Sequence, residues 1–162
     1  MNGRARTAVF WIVTIAVFAT VNWLILQKET TLRDGRTVLL QLAPVDPRSL
    51  MQGDYMLLRY EMAIDPATRE AVGGVAEGRL VVALDERDVA RFVRLHGGEP
   101  LGPGEMLLRF REREGLQLGA ESFFFEEGQA SKYENAKYGE LKVDDAGNSI
   151  LVGLRSEGLE PL

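Results

Sequence analysis

The sequence contains no cysteine, and this absence excludes several kinds of site at once. Without thiols the chain has no disulfide, no thiolate metal ligand, no cysteine nucleophile and no lipid-modified N-terminal cysteine. Histidine is scarce as well, since His96 is the single one, so a Ser-His-Asp relay would rest entirely on it. No glycine-rich phosphate loop or nucleotide fingerprint is present. We therefore expect no metal site, no cofactor and no catalytic residues of these classes.

Charged residues are missing from the start of the chain. Arg4 and Arg6 are the only ones before Gln27, which leaves 17 basic and 24 acidic residues, a net charge of −7, for the rest. The sequence shows no basic stripe in this acidic remainder. Because a nucleic-acid backbone is bound by clustered Lys and Arg, we expect no nucleic-acid partner.

The uncharged segment "TAVFWIVTIAVFATVNWLIL", residues 7–26, is typical of a transmembrane helix. About 20 helical residues cover the roughly 30 Å hydrocarbon core of a bilayer. Trp11 and Trp23 occupy positions where interfacial aromatics are expected. A cleaved signal peptide is the alternative, but its apolar core is usually shorter, and residues 19–21 match a cleavage site poorly. An uncleaved anchor is therefore the favoured interpretation.

Orientation follows from the two arginines that precede the span. Basic residues next to a span favour the cytoplasmic side, so residues 1–6 are expected to form a cytoplasmic tip. The predicted protein is then a single-pass protein of the cytoplasmic (inner) membrane. Its neck, residues 27–36, is polar and turn-prone, and its head, residues 37–162, is periplasmic or otherwise extracytoplasmic. The bilayer itself is one partner, and another membrane protein is the other candidate.

The head has the pattern of a mainly β fold, with short apolar runs separated by Gly and Pro. A fold of this class carries one or two short helices besides the N-terminal one. Gly115 and residues 145–148 are expected to form turns between strands. The candidate strands are residues 37–44, 55–62, 78–84, 104–114, 116–125, 139–145 and 149–155.

Two stretches leave alternatives open. Residues 85–95, "DERDVARFVRL", fit either the turn and return strand of a hairpin or a helix capped by Asp85. The hairpin is preferred because a direct return strand pairs with residues 78–84 without another connection. Residues 128–138, "GQASKYENAKY", form either a short helix or a structured loop.

The stretch "GDYMLLRY", residues 53–60, combines a turn with a strand. Gly53 permits dihedral angles that a side chain would forbid, and Asp54 can accept backbone N–H bonds in the turn. In the strand, Tyr55 points to one face, while Leu58 and Tyr60 point to the other. A turn followed by a strand explains every residue, so structural anchoring is favoured over catalysis.

This stretch resembles the GDYxxLxY motif of the bacterial GDYXXLXY membrane-anchored proteins, through Gly53, Asp54, Tyr55, Leu58 and Tyr60. The preceding "VDPRSL" and the order of one span and one head are also similar to that family. The resemblance implies a membrane-anchored protein across most of the chain, and it implies no reaction. We expect the loop before the strand to be organised by Asp46, Pro47, Arg48, Gly53, Asp54, Tyr55, Leu58 and Tyr60.

A weaker resemblance links the head to type I signal peptidases, which also place a β-rich head outside the membrane. Those enzymes need a Ser activated by a neutral Lys. At the matching positions this chain has Pro44 or Val45, and Arg91, whose guanidinium stays protonated. A head of that fold would be inactive by that mechanism. A rearranged serine hydrolase, with Ser49 as nucleophile and a base drawn from Lys132, Lys137 and Lys142, is the alternative function.

Three consecutive aromatic residues supply the best candidate contact site. Phe123, Phe124 and Phe125 cannot all face one side of a strand, so at least one points away from the core. Glu126 and Glu127 follow as an acidic rim whose spacing fits no calcium loop. The sequence thus indicates a membrane-anchored binding or scaffolding module for a membrane partner.

Overall fold

A single long helix begins the chain. The computed structural model describes residues 3–44 and 55–162, and helix α1 extends over Gly3–Asp34. The prediction of a turn-prone neck is therefore wrong, because the helix continues through these polar residues. Most of them are good helix formers, and the hydroxyls of Thr30 and Thr31 bond to carbonyls four residues earlier. The division into tip, span, neck and head remains a prediction.

The head consists of nine short strands and three short helices within the described residues. Strand exceeds helix (36% against 31%) even though α1 is long, so the mainly β prediction for the head is confirmed. The strands are β1 Arg36–Gln41, β2 Tyr55–Leu57, β3 Glu77–Leu84, β4 Ala90–Leu95, β5 Glu105–Glu112, β6 Leu116–Gln117, β7 Ser122–Phe124, β8 Tyr138–Val143 and β9 Ser149–Arg155; the helices are α2 Glu61–Ile64, α3 Pro66–Val72 and α4 Ala130–Tyr133.

Three antiparallel sheets surround one hydrophobic core. Their strand orders are β1-β8-β9, β2-β7 and β4-β3-β5-β6. Apolar residues with side chains facing inward fill the space between the sheets, as their alternation in the strands requires. The largest fully buried ones are Phe110, Leu40, Leu80, Leu108, Leu118, Leu141 and Leu154.

Both ambiguous stretches now have an observed structure. Residues 85–95 form the turn and return strand of a hairpin, since β4 pairs with β3. Residues 128–138 contain the single turn α4 before β8 begins. The strand predicted over residues 55–62 is too long, because β2 ends at Leu57 and α2 begins at Glu61.

The base of the head is attached directly to the end of α1. The Thr31 hydroxyl donates a hydrogen bond to the Asp144 carboxylate, with the two oxygens 3.1 Å apart. Gly35 ends the helix, and a Cβ at this position would lie 2.3 Å from the Thr31 carbonyl and 3.2 Å from Val143 backbone atoms. The helix and the β8–β9 hairpin are therefore in close contact.

Candidate functional site

Residues 55–60, the described part of the motif, lie where the β2–β7 sheet meets the end of β1. β2 pairs with β7, with Tyr55 opposite Phe124. Beyond β2, the Leu58 amide donates to the Glu121 carbonyl, and the Arg59 carbonyl accepts from the amide of Ala43 just after β1. The backbone of this segment thus changes partners within a few residues, which explains why it is not one continuous strand.

Tyr60 fills the space between these elements. Its side chain is only 2% exposed, and a Cβ on Gly139 of β8 would lie 3.0 Å from its ring. The hydroxyl donates to the Ala120 carbonyl at 2.7 Å. Burial, with a smaller contribution from Glu121, raises the pKa of Tyr60, so the phenol stays protonated and acts as a donor. These contacts agree with a structural role for Tyr60.

Tyr55, Leu57 and Phe124 point outward from the β2–β7 pair and form a surface that we call the outer face. The rings of Tyr55 and Phe124 have centroids 5.8 Å apart. Leu57 is 51% exposed and Phe124 is 74% exposed. Exposed large apolar side chains in one group are unusual on a protein surface and are typical of contact sites.

The other two phenylalanines point inward. Phe123 and Phe125 lie against Tyr133 of α4, with ring centroids 5.0 Å and 5.2 Å apart. Both rings are partly buried against the core. Phe124 is therefore the one of the three that is available to a partner.

A groove lies on each side of Arg59, next to the outer face. The larger, of about 620 Å³, is bounded by Leu57, Leu58, Arg59, Tyr60, Ala63, Ile64, Arg69, Glu114, Gly115, Leu116, Gln117 and Glu121. The smaller, of about 220 Å³, is bounded by Leu42, Ala43, Pro44, Met56, Leu57, Leu58, Arg59, Tyr133, Glu134, Ala136 and Lys137. Leu57 and Arg59 form the ridge between them.

Comparison with known proteins places the chain in a family. The family model described as GDYXXLXY protein matches residues 17–154. The chain belongs to the GDYXXLXY protein family. The resemblance noted from the motif is thereby confirmed over most of the chain. No curated protein and no solved structure matches this family member.

Several predicted positions of this GDYXXLXY protein lie outside the described residues. These are Asp46, Pro47, Arg48, Gly53 and Asp54 of the motif region, together with Val45 and Ser49. Their proposed roles in the loop and in a hydrolase stay predictions.

The other predicted positions of the GDYXXLXY protein lie within the described part of the chain. Arg91 is exposed and pairs with Asp85 at 3.6 Å. Lys142 donates to the Thr37 hydroxyl at 3.0 Å. Glu126 and Glu127 are exposed, and Glu126 accepts from the Gln129 amide. Among residues 3–44 and 55–162, no group of His, Asp and Glu could hold a metal ion.

Sequence reasoning missed Leu57 as part of the GDYXXLXY protein's outer face. It occupies a variable position of the motif. The alternation of β2 contained the signal, because Leu57 shares a face with Tyr55 and not with the buried Leu58. Nothing in the linear sequence shows that Phe124 would lie beside Tyr55.

Proposed function

We propose that this protein is a single-span membrane protein whose head is a binding module, with the outer face as its contact surface for a second membrane protein. The observation that carries the proposal is the exposure of Phe124 beside Tyr55 and Leu57. Interface cores are rich in aromatic side chains that pack into a partner. Tyr55 and Phe124 have this aromatic character, and Leu57 adds exposed apolar surface.

Membrane anchoring is supported by the length and composition of α1. An 18-residue window within its segment Arg6–Asp34 has a mean hydropathy of 2.2, and this window is not buried against the head. The 32 residues of α1 measure about 48 Å at 1.5 Å per residue, which exceeds a hydrocarbon core of about 30 Å. A span with Arg4 and Arg6 in the cytoplasm would leave a helical stalk between the bilayer and the head.

The position of the outer face favours a protein over lipid as its partner. β1 begins at Arg36, next to the end of α1, and ends at Gln41, near the motif. Five residue steps in a strand cover about 17 Å, so the end of β1 near the outer face is about this far from the end of α1. Arg59 and Glu126 are exposed nearby and give the apolar patch a charged border, as in many interfaces.

A photo-crosslinking experiment in intact cells tests the proposal. Benzoylphenylalanine in place of Phe124 in the full-length chain is expected to give one discrete adduct, identified by mass spectrometry as an integral membrane protein. The matched control carries the same probe in place of Val93, another exposed apolar residue on β4 (42% exposed). The control is expected to reach the membrane in equal amount without giving that adduct.

A second variant separates recognition from folding. With the probe moved to Leu57, Phe124→Glu is expected to abolish the adduct without lowering the melting temperature, because the ring is exposed. No adduct from either probe position, or the same adduct from position 93, contradicts the proposed contact surface.

A further inference from the structure

A second feature lies at the base of the head, where α1 meets the sheets. Two adjoining cavities, of about 490 Å³ and 200 Å³, share Lys28, Arg109 and Asn148 in their walls. The larger one is also bounded by Trp23 and Leu26, the last part of the predicted span. We call the two cavities together the junction cleft. It lies beside the end of the predicted span.

The sheet that borders the cleft carries an unusual concentration of arginine. In the register of β3 and β5, Arg79 lies directly opposite Arg109, and Glu77 lies opposite Arg111. Like charges directly opposite each other destabilise a strand pair. Glu77 lies 3.3 Å from Arg109 and 3.9 Å from Arg111, while the Arg79 guanidinium donates to the Ala146 carbonyl. Glu77 is thus shared by Arg109 and Arg111, and Arg79 lies opposite Arg109 on the neighbouring strand.

Asp144, the carboxylate in the wall of the cleft, already holds the β8–β9 turn. The Asp144 oxygens accept hydrogen bonds from Thr31 and from the backbone and side chain of Asn148. Lys28 adds a further cation from the helix side. The walls of the cleft therefore contain three cationic side chains, Lys28, Arg109 and Arg111, and one carboxylate, although the chain after residue 26 has a net charge of −7.

The position of the cleft along the axis of α1 indicates which anion it would bind. Lys28 follows Leu26 by two residues, which places it about 3 Å further along the helix axis. This is the level of the headgroups if the span is residues 7–26 with Trp23 at the interface. Guanidinium groups bind phosphate oxygens through paired, charge-assisted hydrogen bonds.

We infer that the junction cleft binds the headgroup phosphate of an anionic phospholipid from the leaflet that α1 leaves on the head side. Arg109 and Arg111 contact the phosphate, and Lys28 closes the cleft from the helix. Trp23 and Leu26 contact the upper part of the acyl chains. The inference rests on the membrane span of the proposed function and is independent of the outer face.

The test uses the full-length chain in detergent micelles, titrated with phosphatidylglycerol or with phosphatidylcholine of the same acyl chains. Intact-complex mass spectrometry measures the bound lipid. We expect phosphatidylglycerol to bind more tightly, and Arg109→Gln/Arg111→Gln to weaken it roughly 30-fold, from about fivefold for each cation near a phosphate. The preference is expected to shrink as salt is raised.

The matched control is Arg87→Gln/Arg91→Gln, which removes the same charge from the β3–β4 hairpin, where Arg87 donates to the Glu157 carbonyl. It is expected to keep the affinity of the unchanged protein. If the Arg109/Arg111 variant melts at a lower temperature, Lys28→Gln on the exposed helix surface replaces it, with an expected loss of about fivefold.

Three results would overturn the inference. They are equal affinity for the two lipids, an equal loss in the control variant, and displacement of phosphatidylglycerol by millimolar inorganic phosphate, which would assign the cleft to a free anion. An alkaline wash of membranes separates this failure from failure of the proposed function. A chain that stays in the membrane without lipid preference refutes only the cleft, whereas a chain that is washed out refutes the span.

Discussion

At the scale of single residues, Tyr60 connects the motif to the rest of the head. Its ring lies against β8 and its hydroxyl reaches the loop before β7. The alternation of Leu58 and Tyr60 in the sequence is enough to predict that both lie on the same face, opposite to Tyr55. The partner of the hydroxyl could not be predicted, because Ala120 is 60 residues away and contributes only a backbone carbonyl.

Tyr60→Phe is expected to lower the free energy of unfolding by about 1 kcal/mol, because the Ala120 carbonyl loses its donor inside the head. Thermal melting of the full-length chain in detergent micelles, followed by circular dichroism, measures the effect. Tyr138→Phe is the control, since that ring is half-buried on β8 and its hydroxyl has no hydrogen bond to the described residues. Equal melting temperatures for the two variants would contradict the role given to the Tyr60 hydroxyl.

Asp144 makes the stability of the contact between α1 and the β8–β9 turn depend on pH. Partial burial disfavours its charged form, but hydrogen bonds from Asn148, Thr31 and Ala146 outweigh burial and hold the pKa of Asp144 below its ordinary value of 3.8. A carboxylate with a lowered pKa stabilises the fold above its unfolded pKa, and this contribution is lost as the pH falls through the folded value. The contribution is therefore complete at neutral pH and declines below about pH 4.

We expect Asp144→Asn to be less stable than the unchanged protein at pH 7, by about 2 kcal/mol, and the difference to shrink as the pH is lowered from about 5 to about 2. Denaturant titration at a series of pH values measures this difference. Asp145→Asn, a change in the neighbouring exposed carboxylate, is the control and is expected to keep the stability of the unchanged protein at pH 7. A constant difference across the whole pH range would show that the charge of Asp144 does not stabilise the junction.

At the scale of elements, the sequence predicted where strands occur better than where they end. The run of residues 55–62 alternates like a strand, yet regular pairing stops at Leu57 because Leu58 and Arg59 bond to two different segments. The polar residues after Leu26 suggested a neck, although most of them favour a helix. The hydrophobic pattern predicts which side chains are buried, but it does not predict which segment forms hydrogen bonds with the backbone.

The β8–β9 turn is the element that connects the hairpin to the neighbouring sheet. Gly147 has a φ of 84°, and its carbonyl accepts from the Arg109 amide of β5. A Cβ here would lie 3.1 Å from backbone atoms of Leu107 and Arg109. The turn residues were recognisable from the sequence as far as their dihedral angles are concerned, but their contact with β5 was not.

Gly147→Ala is therefore expected to lower the free energy of unfolding by more than the strain of a left-handed dihedral, which is about 1 kcal/mol. Gly128→Ala is a matched control, because Gly128 has a φ of 83° and a Cβ added there would meet no described atom within 4 Å. We expect the free energy of unfolding to fall by about 1 kcal/mol in the control, from strain alone. In Gly147→Ala we expect it to fall by about 3 kcal/mol, because overpacking adds to the strain. Equal losses, measured by denaturant unfolding, would show that the turn does not pack tightly on β5.

At the scale of the whole molecule, the outer face and the junction cleft differ in how far they can be predicted from the sequence. Phe124 belongs to a run of three aromatics, so a contact site was predictable there. The junction cleft was not, because Lys28 and Arg109 are far apart in the chain and the arginines alternate with apolar residues in their strands. The sequence shows an acidic head, and only the register of β3 with β5 brings its arginines together.

The orientation of the molecule decides whether either site can work as proposed. Arg4 and Arg6 precede an uncharged segment, and no acidic residue occurs before Glu29, so the charge bias favours a cytoplasmic N-terminus. Alkaline phosphatase fused after Leu162 is then expected to be active, and green fluorescent protein at the same position to be dark. Arg4→Glu/Arg6→Glu is expected to lower the phosphatase activity, because it removes the basic charges that hold the N-terminus inside, whereas Arg87→Gln/Arg91→Gln in the head is expected to leave it unchanged. A fluorescent fusion of the unchanged chain would put the outer face in the cytoplasm and exclude any partner outside the membrane.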